Sequence, residues 1–410
     1  MRRVVVTGMG AVTPVGNHLE EYWNSLVEGV CGVDFITRFD VSDKKVKVAA
    51  EVKNFDPLEY FEKSELRKND LFVQYAVAAA TQAMNDSKLA GTVEPERLGV
   101  YIGSGIGGIL TTTENSDKLC QGAKRVSPFM VPMMISNMAS GTVSIRFEAK
   151  GPTLPIVTAC ATSSHAIGEA YRAIRHGYAD AILAGGSEAA VCNLTLAGFT
   201  SCMALTANND PKTACRPFDK NRDGFVMGEG AGVVVLEEYE HAVARGAKIY
   251  GEVCGYGNTS DAYHVTAPDP EAGGITRAIR LAMEEAGVQA DEHTYVNAHG
   301  TSTQLNDKSE TLAFHQAFGE AAEKVAISST KSMTGHMLGA AGAVEAIACL
   351  KALETGIVPP TVGLQEADPD CDLDYTPGTA KRMDVKTALS TSLGFGGHNA
   401  CLVFRKWEEM

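Results

Sequence analysis

Residues 157–168, VTACATSSHAIG, place a single cysteine, Cys160, between a β-branched run and a helical pattern. The preceding PTLPIVTA (152–159) reads as a buried strand, and ATSSHAIGEAYRAIRHG (161–177) spaces its apolar residues along one helical face. Cys160 then stands on a sharp strand-to-helix turn. Free backbone N–H groups and the positive end of the helix dipole favour thiolate over thiol there, and the thiolate is the form that attacks carbonyls. The position also suits a small buried hydrophobe, the commonest use of a free cysteine, so the rest of the chain has to decide.

Outward from this turn, the strand-like runs VVVTG, LGVYIGSG, DAILAGGSE, GVVVLEE, YVNAHG and VAISST alternate with helical stretches, the pattern of layered α/β structure. No proline-rich linker, charge block or low-complexity tract divides the chain. Two halves, 1–250 and 251–410, are expected to join near EEYEHAVARGAKIYGEV (237–253), because new strand-and-helix series begin on both sides of it. A residue-by-residue repeat is not visible.

With 410 residues, 45% hydrophobic and 21% charged, the chain has ample material for a large core. Ten cysteines without C-x-x-C pairs point to free thiols in a reducing, cytoplasmic compartment rather than to a disulfide framework. The N-terminal MRRVVVTGMGAVTPVG is broken by glycine and proline too early for a signal peptide and reads as an opening strand and turn. No apolar run approaches the roughly 18 residues needed to cross a bilayer, and Glu345 interrupts the nearest, AAGAVEAIACL (340–350). A net charge of −14 argues against nucleic acid as a partner. Against that acidity stand two small basic clusters, Lys63 with Arg67 and Lys68, and Lys124 with Arg125. They read either as solvated faces or as a dock for an acidic partner.

Two strings imitate known sites. GSGIGG (103–108) follows a strand and fits a pyrophosphate-binding loop, but ILTTTENSDKL makes a poor first helical turn, and no second strand ends in an acidic residue about 20 positions on. DKNRDGFVMGEG, from Asp219, resembles a calcium loop, but Glu229 arrives one position early for the bidentate ligand. More informative are two histidines in the C-terminal third. His299 lies in YVNAHGTSTQLND after a strand, and His336 lies in SSTKSMTGHMLGAAGAVEA just before a helix, with Lys331 close by. One thiol and two imidazoles could also ligate zinc, but no short His/Cys spacing supports that reading.

Taken together, TACATSSHAIG, RPFDKNRDGFVMGEGAG, NAHGTST, KSMTGHMLGAAGAVE and SLGFGGHNA resemble, in order and spacing, the signatures of the β-ketoacyl-acyl-carrier-protein synthases, and the likeness runs over essentially the whole chain. It is nearest to the elongating Cys-His-His class, on the synthase II side. The resemblance implies a thiolase-like α/β fold, with two similar halves in a five-layer αβαβα arrangement, usually a homodimer. It also implies an acyltransferase that extends acyl chains in fatty acid synthesis by decarboxylative condensation, needing no cofactor beyond the phosphopantetheine arm of its acyl-carrier-protein substrates.

Carried over by position, the resemblance makes Cys160 the acyl-accepting nucleophile, with the amides of Cys160 and Phe395 as oxyanion hole. His299 and His336, both neutral, would hydrogen-bond the malonyl thioester carbonyl, and Lys331 would position and polarise them. Thr301 and Thr303 would bind the pantetheine arm. Ile106, Met130, Phe199 and Phe395 would line or gate the acyl pocket, Met130 standing where phenylalanine is common. Arg67, Lys68, Lys124 and Arg125 would dock the carrier protein. Asn297, Glu345 and Ser390 match a structural cation site of some members, although Thr391 replaces an asparagine there. Met203 stands in place of a carrier-contacting arginine, and Ser64 in place of a lysine. A thiolase would need a second catalytic cysteine, and Cys401 sits inside a closing strand instead. A chain-length factor would lack the nucleophile. A polyketide ketosynthase would share the chemistry.

Overall fold

The computed structural model describes residues 1–408. Nine strands form one mixed sheet: β1 (Val4–Val12), β2 (Leu98–Gly103), β3 (Ala181–Glu188), β4 (Gly230–Glu238), β5 (Gly251–Ser260), β6 (Thr294–Asn297), β7 (Ala326–Ser328), β8 (Thr387–Gly394) and β9 (His398–Lys406). Their order is β2-β3-β4-β1-β5-β9-β8-β6-β7. The N-terminal half runs β2 parallel to β3, then antiparallel through β4 to β1. The C-terminal half mirrors it, with β6 parallel to β8, then antiparallel through β9 to β5. Short pairing of Val4–Val6 with Gly251–Val253 joins the two into a single sheet.

Five helices complete the layers: α1 (Leu71–Ser87), α2 (Thr162–Arg175), α3 (Gly273–Ala286), α4 (Gln304–Phe318) and α5 (Ala341–Thr355). α1 covers the outer face of the N-terminal strands, and α3 with α4 covers the outer face of the C-terminal ones. Between them α2 and α5 pack on each other and on strands of both halves. This central layer is why AGAVEAIACLKAL is apolar nearly all round: Ala341–Leu353 is buried along its whole length, as a helix with strands on both sides requires. The close crossing of α2 and α5 needs Gly342, where a Cβ would stand 2.0 Å from Ser164 Oγ. No helix among the described residues is long and apolar enough to cross a membrane.

Two expectations need correction. PTLPIVTA is not a buried strand: it runs extended beside β2, bonded only around the Val100–Thr153 bridge, with Leu154 and Val157 about half exposed. Only Ile156 of the segment packs against the core, while Thr153 and Val157 stay exposed at the edge. Conversely, ILTTTENSDKLC after the glycine string does form a helix, Ile109–Cys120. The glycine turn before it binds an internal anion. The Glu188 carboxylate accepts hydrogen bonds from Gly105 N, Ile106 N and Ser104 Oγ at 2.9–3.1 Å, so the donors a pyrophosphate would need are already spent. The calcium-like loop is likewise structural. Glu229 pairs with Arg38, and Asp219 accepts from the amides of Asn221, Gln365 and Glu366.

Candidate active site

Cys160 lies on a 3-10 turn, Ala159–Ala161, that runs directly into α2. Ala159 takes a left-handed φ of 51°, which swings Cys160 off the line of the edge segment and onto the wall of a cavity of about 460 Å³. His299 follows β6, and its amide is held by Glu310 Oε1 at 2.7 Å and Thr391 Oγ1 at 3.2 Å. His336 bridges to the strand-like segment at Met227: its amide donates to Val226 O and its carbonyl accepts from Gly228 N. Residues 176 positions apart are thus brought to one wall (336 − 160 = 176). The sulfur and one nitrogen from each ring lie within 4.8 Å of one another, and the imidazoles meet edge to face with centroids 5.3 Å apart.

Burial governs the electrostatics. Both histidines are pushed well below the usual imidazole range, first by desolvation and then by the nearby Lys331 ammonium. They are neutral, as the sequence led us to expect. His299 Nδ1 and both nitrogens of His336 have no protein partner, so the rings keep their hydrogen-bonding capacity for a ligand. Cys160 departs from expectation. Burial pushes its thiol up to about 12, outweighing Lys331 and the Phe395 amide, which both favour the thiolate, so the resting group is a thiol. A buried thiol beside an ammonium also opposes a cation among Cys160, His299 and His336, which weakens the zinc alternative on physical grounds.

Lys331 is fully buried and pairs with Glu345. It acts on the histidines through its charge, and its hydrogen bond goes to Glu345 rather than to either ring. Asn297 and Ser390 lie side by side in the β6–β8 register, with Ser390 Oγ and Glu345 Oε2 unpartnered, but Thr391 turns its hydroxyl to Glu310. The positive charge opposite Glu345 is supplied by Lys331.

Thr301 and Thr303 line the cavity with their hydroxyls 2.9 Å apart, and Phe199 and Phe395 line it as expected. Ile106 and Met130 do not. Ile106 is held by Glu188 in the glycine turn with its side chain 36% exposed, and Met130 begins a separate short helix, Met130–Met134. Met203 stands at the cavity rim, 87% exposed. Lys68 lies 5.6 Å over the Phe129 ring, which follows the exposed loop carrying Lys124 and Arg125.

Sequence reading missed Glu310. Its carboxyl takes the amides of His299 and Gly300 and the Thr391 hydroxyl, and burial pushes it up to about 7. No sequence signal marked it, because α4 mixes apolar and polar residues on both faces, with Leu305 and Leu312 exposed while Asp307 and Glu310 are buried.

The family model for the β-ketoacyl synthase N-terminal domain matches residues 1–242, and that for the C-terminal domain matches residues 250–365. The 3-oxoacyl-[acyl-carrier-protein] synthase 2 of a Synechocystis species is 52% identical over 410 residues, covering 99% of both chains. The protein of the same name from Staphylococcus aureus is 50% identical over 409 residues, again with 99% coverage of each. Among solved structures, a β-ketoacyl synthase from Burkholderia phymatum superposes with a TM-score of 0.92 at 37% identity over 100% of both chains. An ishigamide ketosynthase/chain length factor gives 0.91 at 38% identity, over 99% of this chain and 100% of that one. A type II polyketide ketosynthase solved with its acyl-carrier protein gives 0.90 at 35%, with the same coverage. With both halves matched and relatives at half identity over their full length, the chain belongs to the β-ketoacyl synthases.

Proposed function

We propose that this β-ketoacyl synthase condenses malonyl-carrier protein with an acyl-carrier protein through Cys160, in fatty acid elongation. The convergence of Cys160, His299 and His336 within 4.8 Å in a buried cavity carries this reading. In the first half-reaction the Cys160 sulfur attacks the acyl thioester, the carrier sulfur leaves, and the thiol proton ends on the departing carrier thiol. The amides of Cys160 and Phe395 hold the oxyanion, as preorganised donors in a dry site. In the second, malonyl thioester binds with its carbonyl on His299 and His336. Loss of CO2 leaves an enolate on that oxygen, its carbon attacks the acyl group on Cys160, and the sulfur leaves as thiolate and takes a proton from solvent. Neutral imidazoles serve here because each donates one N–H without adding a cation beside Lys331.

Thr301 and Thr303 bind the pantetheine arm on its way from the rim, and Phe199 and Phe395 border the acyl path. No cofactor of the protein's own takes part. Arg67, Lys68, Lys124 and Arg125 dock the acidic carrier, a reading supported by the Lys68 contact with Phe129 at the end of the Lys124–Arg125 loop, and the free thiols suit the cytoplasm.

A homodimer is supported by the unequal edges of the sheet. β7 is covered by the chain's own 374–376 segment, with Ile327 N on Asp374 O and Thr376 Oγ1 on Ile327 O. The 152–157 edge has no such cover and shows Leu154 and Val157 to solvent, as an edge prepared for a second copy does.

The test is a condensation assay with malonyl-carrier protein and acyl-carrier proteins of graded chain length. Cys160→Ala abolishes condensation. His299→Ala keeps measurable acylation of Cys160 while suppressing decarboxylation. Loss of acylation with decarboxylation intact in His299→Ala overturns the assignment of roles.

A further inference from the structure

The two amides assigned to the oxyanion hole come from segments far apart in the chain: Cys160 N from the turn ahead of α2, and Phe395 N from the GFGG loop between β8 and β9. They are useful only at a fixed spacing, and the segments do approach closely, since a Cβ on Gly394 would lie 2.6 Å from Thr158 O and 3.3 Å from Cys160 N. Two consecutive α2 residues tie them together. Ser164 Oγ meets Ser392 Oγ at 2.8 Å, on the strand that enters the loop. His165 takes the Thr158 hydroxyl on Nδ1 at 2.7 Å, two residues before the nucleophile, and donates from Nε2 to Asn399 O at 3.3 Å, on the strand that leaves it. One ring therefore touches both segments, and the Nε2–H tautomer satisfies both bonds at once. His165 is 3% exposed, packs edge to face on Tyr256 with centroids 6.2 Å apart, and lines no part of the cavity. Burial lowers it to about 4, which keeps it neutral and the tautomer fixed at working pH.

We propose that His165 is a positioning residue that sets the separation between the Cys160 and Phe395 amides, and so the acyl-transfer rate, without touching substrate. The proposal rests on the reading of those amides as the oxyanion hole. It predicts a split between two reactions of the same sulfur: transfer from a thioester builds an oxyanion and needs the spacing, whereas alkylation by iodoacetamide builds none.

In the full-length protein, single-turnover acylation of Cys160 by an acyl-carrier thioester and its alkylation by iodoacetamide are followed by mass spectrometry. His165→Phe keeps the ring shape and loses both hydrogen bonds. Acylation is expected to fall about tenfold to a hundredfold, in the range of a weakened oxyanion donor, while alkylation changes less than about threefold. His165→Gln, which can accept and donate across the same gap, recovers most of the rate. Thr158→Val, a smaller change made from the opposite side, lowers acylation in the same selective way and stands in if His165→Phe fails to fold. Unchanged acylation in His165→Phe or Thr158→Val, or an equal loss of both reactions, overturns the proposal. An acyl group found on a residue other than Cys160 in the wild-type protein would instead break the underlying reading of the site.

Discussion

Two turns, one in each half of the sheet, enter the two buried central helices in the same way. Ala159 and Leu338 both take left-handed backbone, φ 51° and 49°, each opens a three-residue 3-10 turn, and the helix starts immediately after at Thr162 or Ala341. Cys160 in the first turn corresponds to Gly339 in the second. The difference is in the amide. Gly339 N donates to the Glu188 carboxylate at 3.0 Å, whereas the Cys160 amide is left without an acceptor in the protein among the described residues. One half has closed its turn on a buried carboxyl, and the other leaves the matching donor unbonded.

The comparison is open to attack, most strongly at Glu188. Its carboxylate holds Ser104 Oγ and the amides of Gly105, Ile106 and Gly339. Glu188→Ala leaves buried donors without an acceptor at about 1–3 kcal/mol each. Unfolding in urea is expected to show a loss of about 3 kcal/mol or more. Cys160→Ala, in the other turn, is expected to change stability by less than about 1 kcal/mol, because no buried donor loses an acceptor when its thiol is removed. Equal costs at the two turns would end the analogy.

The second attack is on the thiol. With Cys160 pushed up to about 12, its protonated form dominates and the thiolate fraction grows with pH. Iodoacetamide alkylation should then rise about tenfold per unit from pH 7 to 10 without a plateau. A plateau at or below about 8.5, the ordinary thiol value, would mean that the turn and Lys331 overcome burial.

Edge asymmetry supplies the third test. Leu154→Asp with Val157→Asp places charge on the uncovered edge, and light scattering is expected to show a shift to monomer at micromolar concentration. An unchanged mass would move the interface elsewhere. The smallest effect is expected at the basic surface. Arg67→Glu with Lys68→Glu should raise KM for carrier-bound substrates about threefold to tenfold and flatten its salt dependence, leaving kcat nearly unchanged. No change would reject that dock.

The alternation of strand and helix and the candidacy of Cys160, His299, His336 and Lys331 were legible in the residues, because local periodicity and chemically unusual side chains at strand ends survive in a single sequence. Glu310 and Glu188 were not legible as anion anchors, since the amides that make them so come from loops distant in the chain. PTLPIVTA read as core for the complementary reason: β-branched composition marks an extended strand but not which side of a sheet edge is covered. Ile106 and Met130 were assigned by position from the family resemblance, and neither lines this cavity.

By itself, the sequence determined the kind of layers and singled out Cys160, His299 and His336, which the fold brings together. The tertiary structure alone decided that the thiol rests protonated, that a buried carboxylate occupies the nucleotide-like glycine turn, and that His165 hydrogen-bonds both Thr158 and Asn399. Local pattern is a property of neighbours in the chain, whereas desolvation and hydrogen-bond satisfaction depend on which distant groups fold into the same few ångströms.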